Sequence, residues 1–435
     1  MLLAACMLPA QTHPVLLISV DGLRPDAVMD AGAHGLSVPN LRRMMAEGSY
    51  ASGVHGILPT VTYPSHVTLV TGVSPARHGV YSNTTFDPFD RNQHGWDWYA
   101  EDIRSETLWT AAHRAGLTTA NVDWPVTVGA EIDENLPQYW RAGTEDDEKL
   151  VRALCTPGLP ELLKAKTGRL YPEGWMDADW GDSSRAEYAI QLMQLKRPGF
   201  ITVYLGGLDH SEHVHGVFSP ESNAVLEHID GLIGKLRAAA GSGTVVAVVS
   251  DHGFVNVSKS VNLGVKFREA GLIETDAAGN VTGWEAAPWT DGAVAYILIN
   301  PSAHPGVRQK TQDLLDTLQK DPDSGIDRIL TAQEIQKEGG DPQASFAVAL
   351  KIGYCLGDSL TGPFIVPSFV RGMHGYPPGD REMNASFFIA GPGIPAAHSL
   401  GEIDMRDIAP TLAAILGARL PAAEGRNRLA SEPSR

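Results

Sequence analysis

Asp21, Asp209, His213, Asp251, His252 and His374 have the types and spacing that suit metal chemistry. Asp209 and His213 are four apart, which sets both on one face if that segment turns helically. Asp251 and His252 are adjacent, so in a loop they point apart and can serve one metal or two. Carboxylates mixed with imidazoles suit Zn²⁺, which keeps an open coordination position when it is catalytic. Six donors give three protein ligands to each of two metals. Any single Asp-Gly or Asp-His pair is explained as well by a turn or a helix cap, because Asp favours both; the joint pattern is not. His210 and His215 flank the same stretch and read as exposed or supporting imidazoles, since a metal centre needs few direct His ligands.

The segment PTVTYPSHVTLVTG, residues 59–72, adds a hydroxyl. Pro64 suits the first position of a helix, which puts Thr62 just before a helix N-terminus, where unpaired amides and the dipole favour an anion. A metal beside Thr62 would lower its hydroxyl pKa. The plainer reading is that Thr62 caps the helix.

The elements that must carry these residues are four short apolar runs, Val15–Val20, 201–205, 244–249 and 386–390, each too short for a helix and closed by a Gly or Asp turn. Three of the four end in a candidate ligand, and open α/β sheets bind their ligands outside the carboxyl ends of strands. Helical periodicity between them, at Pro39–Glu47, 65–70, 184–195 and 222–240, predicts an α/β fold with a mostly parallel central sheet flanked by helices. Residues 256–369 are less regular and contain strand-like runs at 293–299 and 346–352, so they read as an inserted subdomain of a catalytic domain spanning 14–417. Residues 418–435 are polar and read as a loose tail.

Composition sets the outer bounds. The 435 residues are 43% hydrophobic and 20% charged, a globular composition. Fifty-one acidic against 34 basic residues give a net charge of −17. Without a block of Lys or Arg, that argues against duplex nucleic acid as a partner; it leaves a small phosphorylated substrate open. Residues 1–13 begin with an apolar run too short to span a bilayer and read as the back end of an export signal without its charged start. Leu3-Ala4-Ala5-Cys6 resembles a lipoprotein box, with a lipid anchor at Cys6. The expected location is periplasmic, at the cell surface or secreted. Cys155 and Cys355 could pair in an oxidising compartment or stay as buried thiols.

In order along the chain, the sequence carries Val-Asp21-Gly22-Leu-Arg-Pro, Pro-Thr-x-Thr62-x-Pro-x-His66, His78-Gly79 followed by Asn83, Asp209-x-x-x-His213, Ser-Asp251-His252-Gly253 and His374-Gly375-Tyr376. Six motifs in this order resemble the nucleotide pyrophosphatase/phosphodiesterase (type I phosphodiesterase) family of the alkaline phosphatase superfamily, over about residues 14–417. The resemblance implies an alkaline-phosphatase-like fold and two Zn²⁺. Asp209, His213 and His374 match the ligands of one ion; Asp21, Asp251 and His252 match those of the other, which also binds the nucleophile Thr62. Asn83 matches a donor to a phosphoryl oxygen, helped by the amide of Tyr63. Tyr63 and Tyr204 match positions where the family often sandwiches a nucleobase. The implied activity is hydrolysis of a phosphodiester or pyrophosphate bond through a phosphothreonine intermediate.

The sequence departs from the family at Ser65, at Gly207-Leu208 and at Trp124-Pro125-Val126-Thr127, which leaves the metals intact and bears on the substrate pocket. A sulfatase would need a C/S-x-P-x-R motif, which neither Cys155-Thr156-Pro157-Gly158-Leu159 nor Val73-Ser74-Pro75-Ala76-Arg77 supplies. A threonine phosphomonoesterase would carry basic residues in the 123–129 segment, which has none. Phosphonoacetate hydrolase-like activity and a non-enzymatic binding relative complete the alternatives; the latter should have lost Thr62 or a ligand.

Overall fold

The computed structural model describes residues 12–92, 95–139, 144–171 and 178–430; Cys6 and the rest of the leader-like start lie outside them. Val15–Val20, Phe200–Leu205 and Val245–Val249 are buried at every residue. Such runs read as continuous apolar stretches because helices cover both faces of a parallel sheet. Val15–Val20 lies between the other two, parallel to both, with Val20 opposite Leu205 and Ser19 opposite Val249. This register brings the chain just beyond each strand, at Asp21, Gly206 and Ser250, to one edge of the sheet.

The central sheet has eight strands. Phe387–Ala390 runs antiparallel to Val245–Val249 and to Ser49–Tyr50, so one of the four anticipated strands is reversed. Hydrophobicity reports that a strand is buried on both faces and carries no sign of its direction. Thr119–Val122 and Glu134–Leu136 extend the opposite side in parallel.

The helix over residues 59–72 begins earlier than its proline suggested. It spans Thr62–Thr71, so Thr62 is its first residue and Pro64 its third. A proline is tolerated there because the first amides of a helix have no intrahelical acceptor.

Residues 286–350 hold a separate four-stranded sheet, antiparallel throughout, in the order Ala286–Asp291, Val294–Ile299, Phe346–Leu350, Ile326–Thr331. Its first two strands form a hairpin turning at Gly292, with φ of 61°. A Cβ on Gly292 would lie 2.5 Å from the carbonyl oxygen of His374, so only glycine lets this hairpin tip rest on the His374 loop.

The polar tail is tied down as far as the described residues reach. The amides of Arg426 and Arg428 donate to Asp407 and Thr411, and that of Glu424 donates to the carbonyl of Gly72. Polarity marked this segment as loose, whereas its backbone donors find acceptors on the 408–416 helix and its approach. Cys155 and Cys355 are both buried free thiols.

Candidate metal centre and nucleophile

The three strand ends bring the expected donors together. His252 Nε2 lies 3.3 Å from Asp21 Oδ1 and 3.1 Å from Asp251 Oδ2. Asp209 Oδ1 lies 3.4 Å from His213 Nε2 and 3.7 Å from His374 Nε2. The His252 and His374 rings stack with centroids 3.7 Å apart and join the two groups. His210 and His215, on the same helix Gly207–His215, face solvent.

The hydrogen bonds around this cluster leave its ligand atoms bare except His252 Nε2, which Thr62 Oγ1 approaches at 3.4 Å. His213 Nδ1 bonds the carbonyl of Gly372, His252 Nδ1 that of Gly253 and His374 Nδ1 that of Thr60, at 3.0, 3.1 and 3.1 Å. A carbonyl only accepts, so each Nδ1 carries the proton and each Nε2 presents its lone pair inward. Asp251 Oδ1 accepts from the amides of Gly22 and His252, and Asp21 Oδ2 accepts from the Tyr204 hydroxyl at 2.6 Å. Their other oxygens, Asp251 Oδ2 and Asp21 Oδ1, and Asp209 Oδ1 are buried with no hydrogen-bond partner among the described residues.

Buried Asp21 and Asp251 and the partly exposed Asp209, each with one buried bare oxygen, are costly unless cations compensate them. Burial, with Asp251 and Asp209 adding repulsion, drives the Asp21 carboxyl far above its ordinary range, and burial pushes Asp251 up to about 7. Asp209 goes the other way: burial opposes ionisation, but His213 and His374 outweigh it. Burial and neighbouring His374 hold the His252 imidazole neutral, the state a metal requires. The donor set therefore fits divalent cations, with the mixed Asp and His composition of zinc centres. Among the described residues two groups have mutually close ligand atoms, Asp21 with Asp251 and His252, and Asp209 with His252 and His374.

Thr62 stands at the edge of this cluster, with Oγ1 3.4 Å from His252 Nε2. Val61 occupies the cap position and no side chain caps the helix, so the Thr62 hydroxyl is not spent on capping. His66 donates from Nδ1 to the Thr62 carbonyl and is bonded through Nε2 to Ser19 Oγ, at 2.8 Å each, which ties the first turn to the central strand.

Asn83 reaches the same helix start, in a different arrangement from the one anticipated. The Tyr63 amide donates to Asn83 Oδ1 at 2.8 Å and is thereby taken. Because that amide can only donate, the bond fixes the orientation of the Asn83 side chain and leaves Nδ2 as the donor available to an anion. Asp291, at the tip of the hairpin that turns at Gly292, accepts from the Asn83 amide at 2.7 Å and from Ser82 Oγ at 2.6 Å, with Asn83 Nδ2 at 3.5 Å. Burial raises its carboxyl to about 6. Sequence reasoning missed Asp291; the only signal was Asp-Gly between two strand runs, a hairpin signature that says nothing of its contact.

The two tyrosines do not take the stacking role expected of them. Tyr204 is buried, with its hydroxyl on Asp21 and its ring edge-on to His66. Tyr63 is buried with its ring edge-on to Trp96 at 5.1 Å. Neither ring is open to a nucleobase. The Gly206-Gly207 turn before Asp209 is also held from behind, by amides that donate to the buried carboxylate of Asp182 at 3.0 Å each.

Residues 15–377 match the family model for type I phosphodiesterase / nucleotide pyrophosphatase. Human ectonucleotide pyrophosphatase/phosphodiesterase family member 1 is 26% identical over 265 residues, 57% of this chain and 24% of its own length. An uncharacterised pyrophosphatase/phosphodiesterase of Schizosaccharomyces pombe is 26% identical over 263 residues, 56% of this chain and 45% of its own. The chain thus spans less than half the length of these curated relatives. The solved structure of murine ectonucleotide pyrophosphatase/phosphodiesterase 5, in an inactive form in complex with AMP, superposes with a TM-score of 0.67 at 20% identity, covering 95% of this chain and 97% of that one. The fold is therefore alkaline-phosphatase-like α/β. With a family model matched over most of its length and the family's motifs gathered at one sheet edge, the chain belongs to the type I phosphodiesterase / nucleotide pyrophosphatase family.

Proposed function

We propose that this protein is an exported, metal-dependent phosphodiesterase that hydrolyses small phosphodiesters or nucleotide pyrophosphate bonds through Thr62. The observation that carries the proposal is the uncapped Thr62 hydroxyl beside Asp21, Asp209, Asp251, His252 and His374, whose ligand atoms form two close groups, with His213 Nε2 3.4 Å from Asp209. Asp209, His213 and His374 would hold one divalent ion and Asp21, Asp251 and His252 the other. Two Zn²⁺ bound there would supply Lewis-acid charge to lower the cost of an ionised Thr62 hydroxyl and of charge on the reacting oxygens.

The chain's own groups do the rest. Thr62 Oγ1 attacks phosphorus in line and displaces one alcohol, giving a phosphothreonine diester. Asn83 Nδ2 donates to a non-bridging oxygen, held in that orientation by the Tyr63 amide and Asp291. Water then cleaves the Thr62–phosphorus bond, restoring the hydroxyl and releasing a monoester. A nucleotide substrate is supported by the AMP complex of the murine relative. Export is supported by the relatives named as ectoenzymes.

The test compares the nitrophenyl ester of TMP with nitrophenyl phosphate, for wild type and Thr62→Ala. The diester should be cleaved much faster, because the 123–129 segment offers no Lys or Arg for the extra charge of a monoester dianion. An equal monoester rate, or a fully active Thr62→Ala protein, contradicts the proposal.

A further inference from the structure

The inserted sheet does more than brace Asn83. A cavity of about 450 Å³ opens between residues 84–90, with Gly95, and the region around the Ala286–Asp291 strand, the size range of small-ligand sites. Thr84, next to Asn83, and Thr290, next to Asp291, both line it, which sets the cavity one residue along the chain from the phosphoryl donor and its tether. Phe86 and Trp289 form an aromatic wall, with ring centroids 5.8 Å apart. The Trp289 indole nitrogen is buried with no hydrogen-bond partner among the described residues, a donor without an acceptor. Asp87, Asp90 and Asp358 also line the cavity, and among the described residues that line it none is basic. Asp87 is bound by the amide of Asn92 and Asp358 by Thr290 Oγ1, neither of which neutralises charge.

We infer that this cavity binds the arm of the diester retained on phosphorus, and that its aromatic wall and the carboxylates of Asp87 and Asp358 select an amine-bearing or uncharged arm over an anionic one. This rests on the proposed phosphodiesterase activity and adds its substrate class. An aromatic face attracts a cation as well as an apolar group, and the indole N–H suits a hydroxyl or ether oxygen. A further phosphate or carboxylate on that arm would meet repulsion, with no base among the described lining residues to compensate it.

The experiment uses nitrophenyl phosphodiesters that share one leaving group and differ in the second arm: 2-aminoethyl, propyl or 2-carboxyethyl. At low salt kcat/KM should fall in that order, spanning about tenfold between amine and carboxylate, and the span should narrow at about 0.5 M salt as the field is screened. Asp87→Asn combined with Asp358→Asn should reduce the span to about twofold. Asp358→Asn alone, which keeps an acceptor for Thr290, should narrow it partway and serves if the double variant folds poorly. Equal wild-type rates for the three arms, a carboxylate preference, or a span that survives both substitutions would overturn the cavity assignment while leaving the phosphodiesterase reading standing. Failure to cleave any of the three would remove that reading and the cavity assignment with it.

Discussion

The two halves of the donor cluster differ in their access to water. Asp21, Asp251 and His252 are at most 1% exposed, whereas Asp209, His213 and His374 are 19, 24 and 6% exposed. The inner half follows the two central strands and is sealed by the Tyr204 hydroxyl and the Gly22 amide. The outer half sits on a helix and on the loop that the inserted hairpin touches. Sealed carboxylates have no water to hydrate them, so they need a cation; partly open ones can also admit substrate and the hydrolytic water. Thr62 lies where the halves meet.

Substitutions can break or sharpen that contrast. Thr62→Ala should cost the most, on the order of 10⁴-fold in kcat on diesters, with melting temperature and metal content unchanged. Asn83→Ala should cost about 10² to 10³-fold, the range for removing one preorganised donor to a developing oxyanion. Asp291→Ala should cost about 10 to 100-fold and act through Asn83, so adding it to Asn83→Ala should lower kcat/KM little further; full additivity in that cycle would show that Asp291 does something else. Tyr204→Phe should have the smallest effect, about tenfold in metal affinity, because it frees one oxygen of Asp21 without removing a ligand. If Tyr204→Ala selectively weakened nucleotide diesters while sparing a methyl nitrophenyl phosphate, Tyr204 would be a stacking residue and the inner half would not be sealed.

The inner half was the more legible in sequence. Its donors close continuous apolar runs, and the parallel register of Val15–Val20 with its neighbours levels those closures. Two features were hidden by the third dimension. Tyr204 stands beside Asp209 in sequence, which suggested substrate contact, but it lies opposite Ser19 in the sheet. Ser19 and Asp21 are two apart and share a face, so the phenol reaches Asp21 instead. Asp291 is 208 positions from Asn83 and arrives from a different sheet, a meeting that no local pattern encodes. The reversed strand Phe387–Ala390 was hidden for the same reason: burial was written in its residues and direction was not.

The account depends most on the converging bare atoms being a binding site for two divalent ions. Metal content and zinc titration of the purified protein, with and without Asp251→Asn, test this directly. Asn at 251 keeps an oxygen for the Gly22 and His252 amides while removing one buried charge. Wild type should hold two divalent ions per chain; the variant should lose tight binding in the inner half yet melt no lower than wild type once both are chelated, since one buried repulsion is gone. A wild-type protein that binds no divalent ion, or a variant with unchanged metal affinity and stoichiometry, would contradict the account.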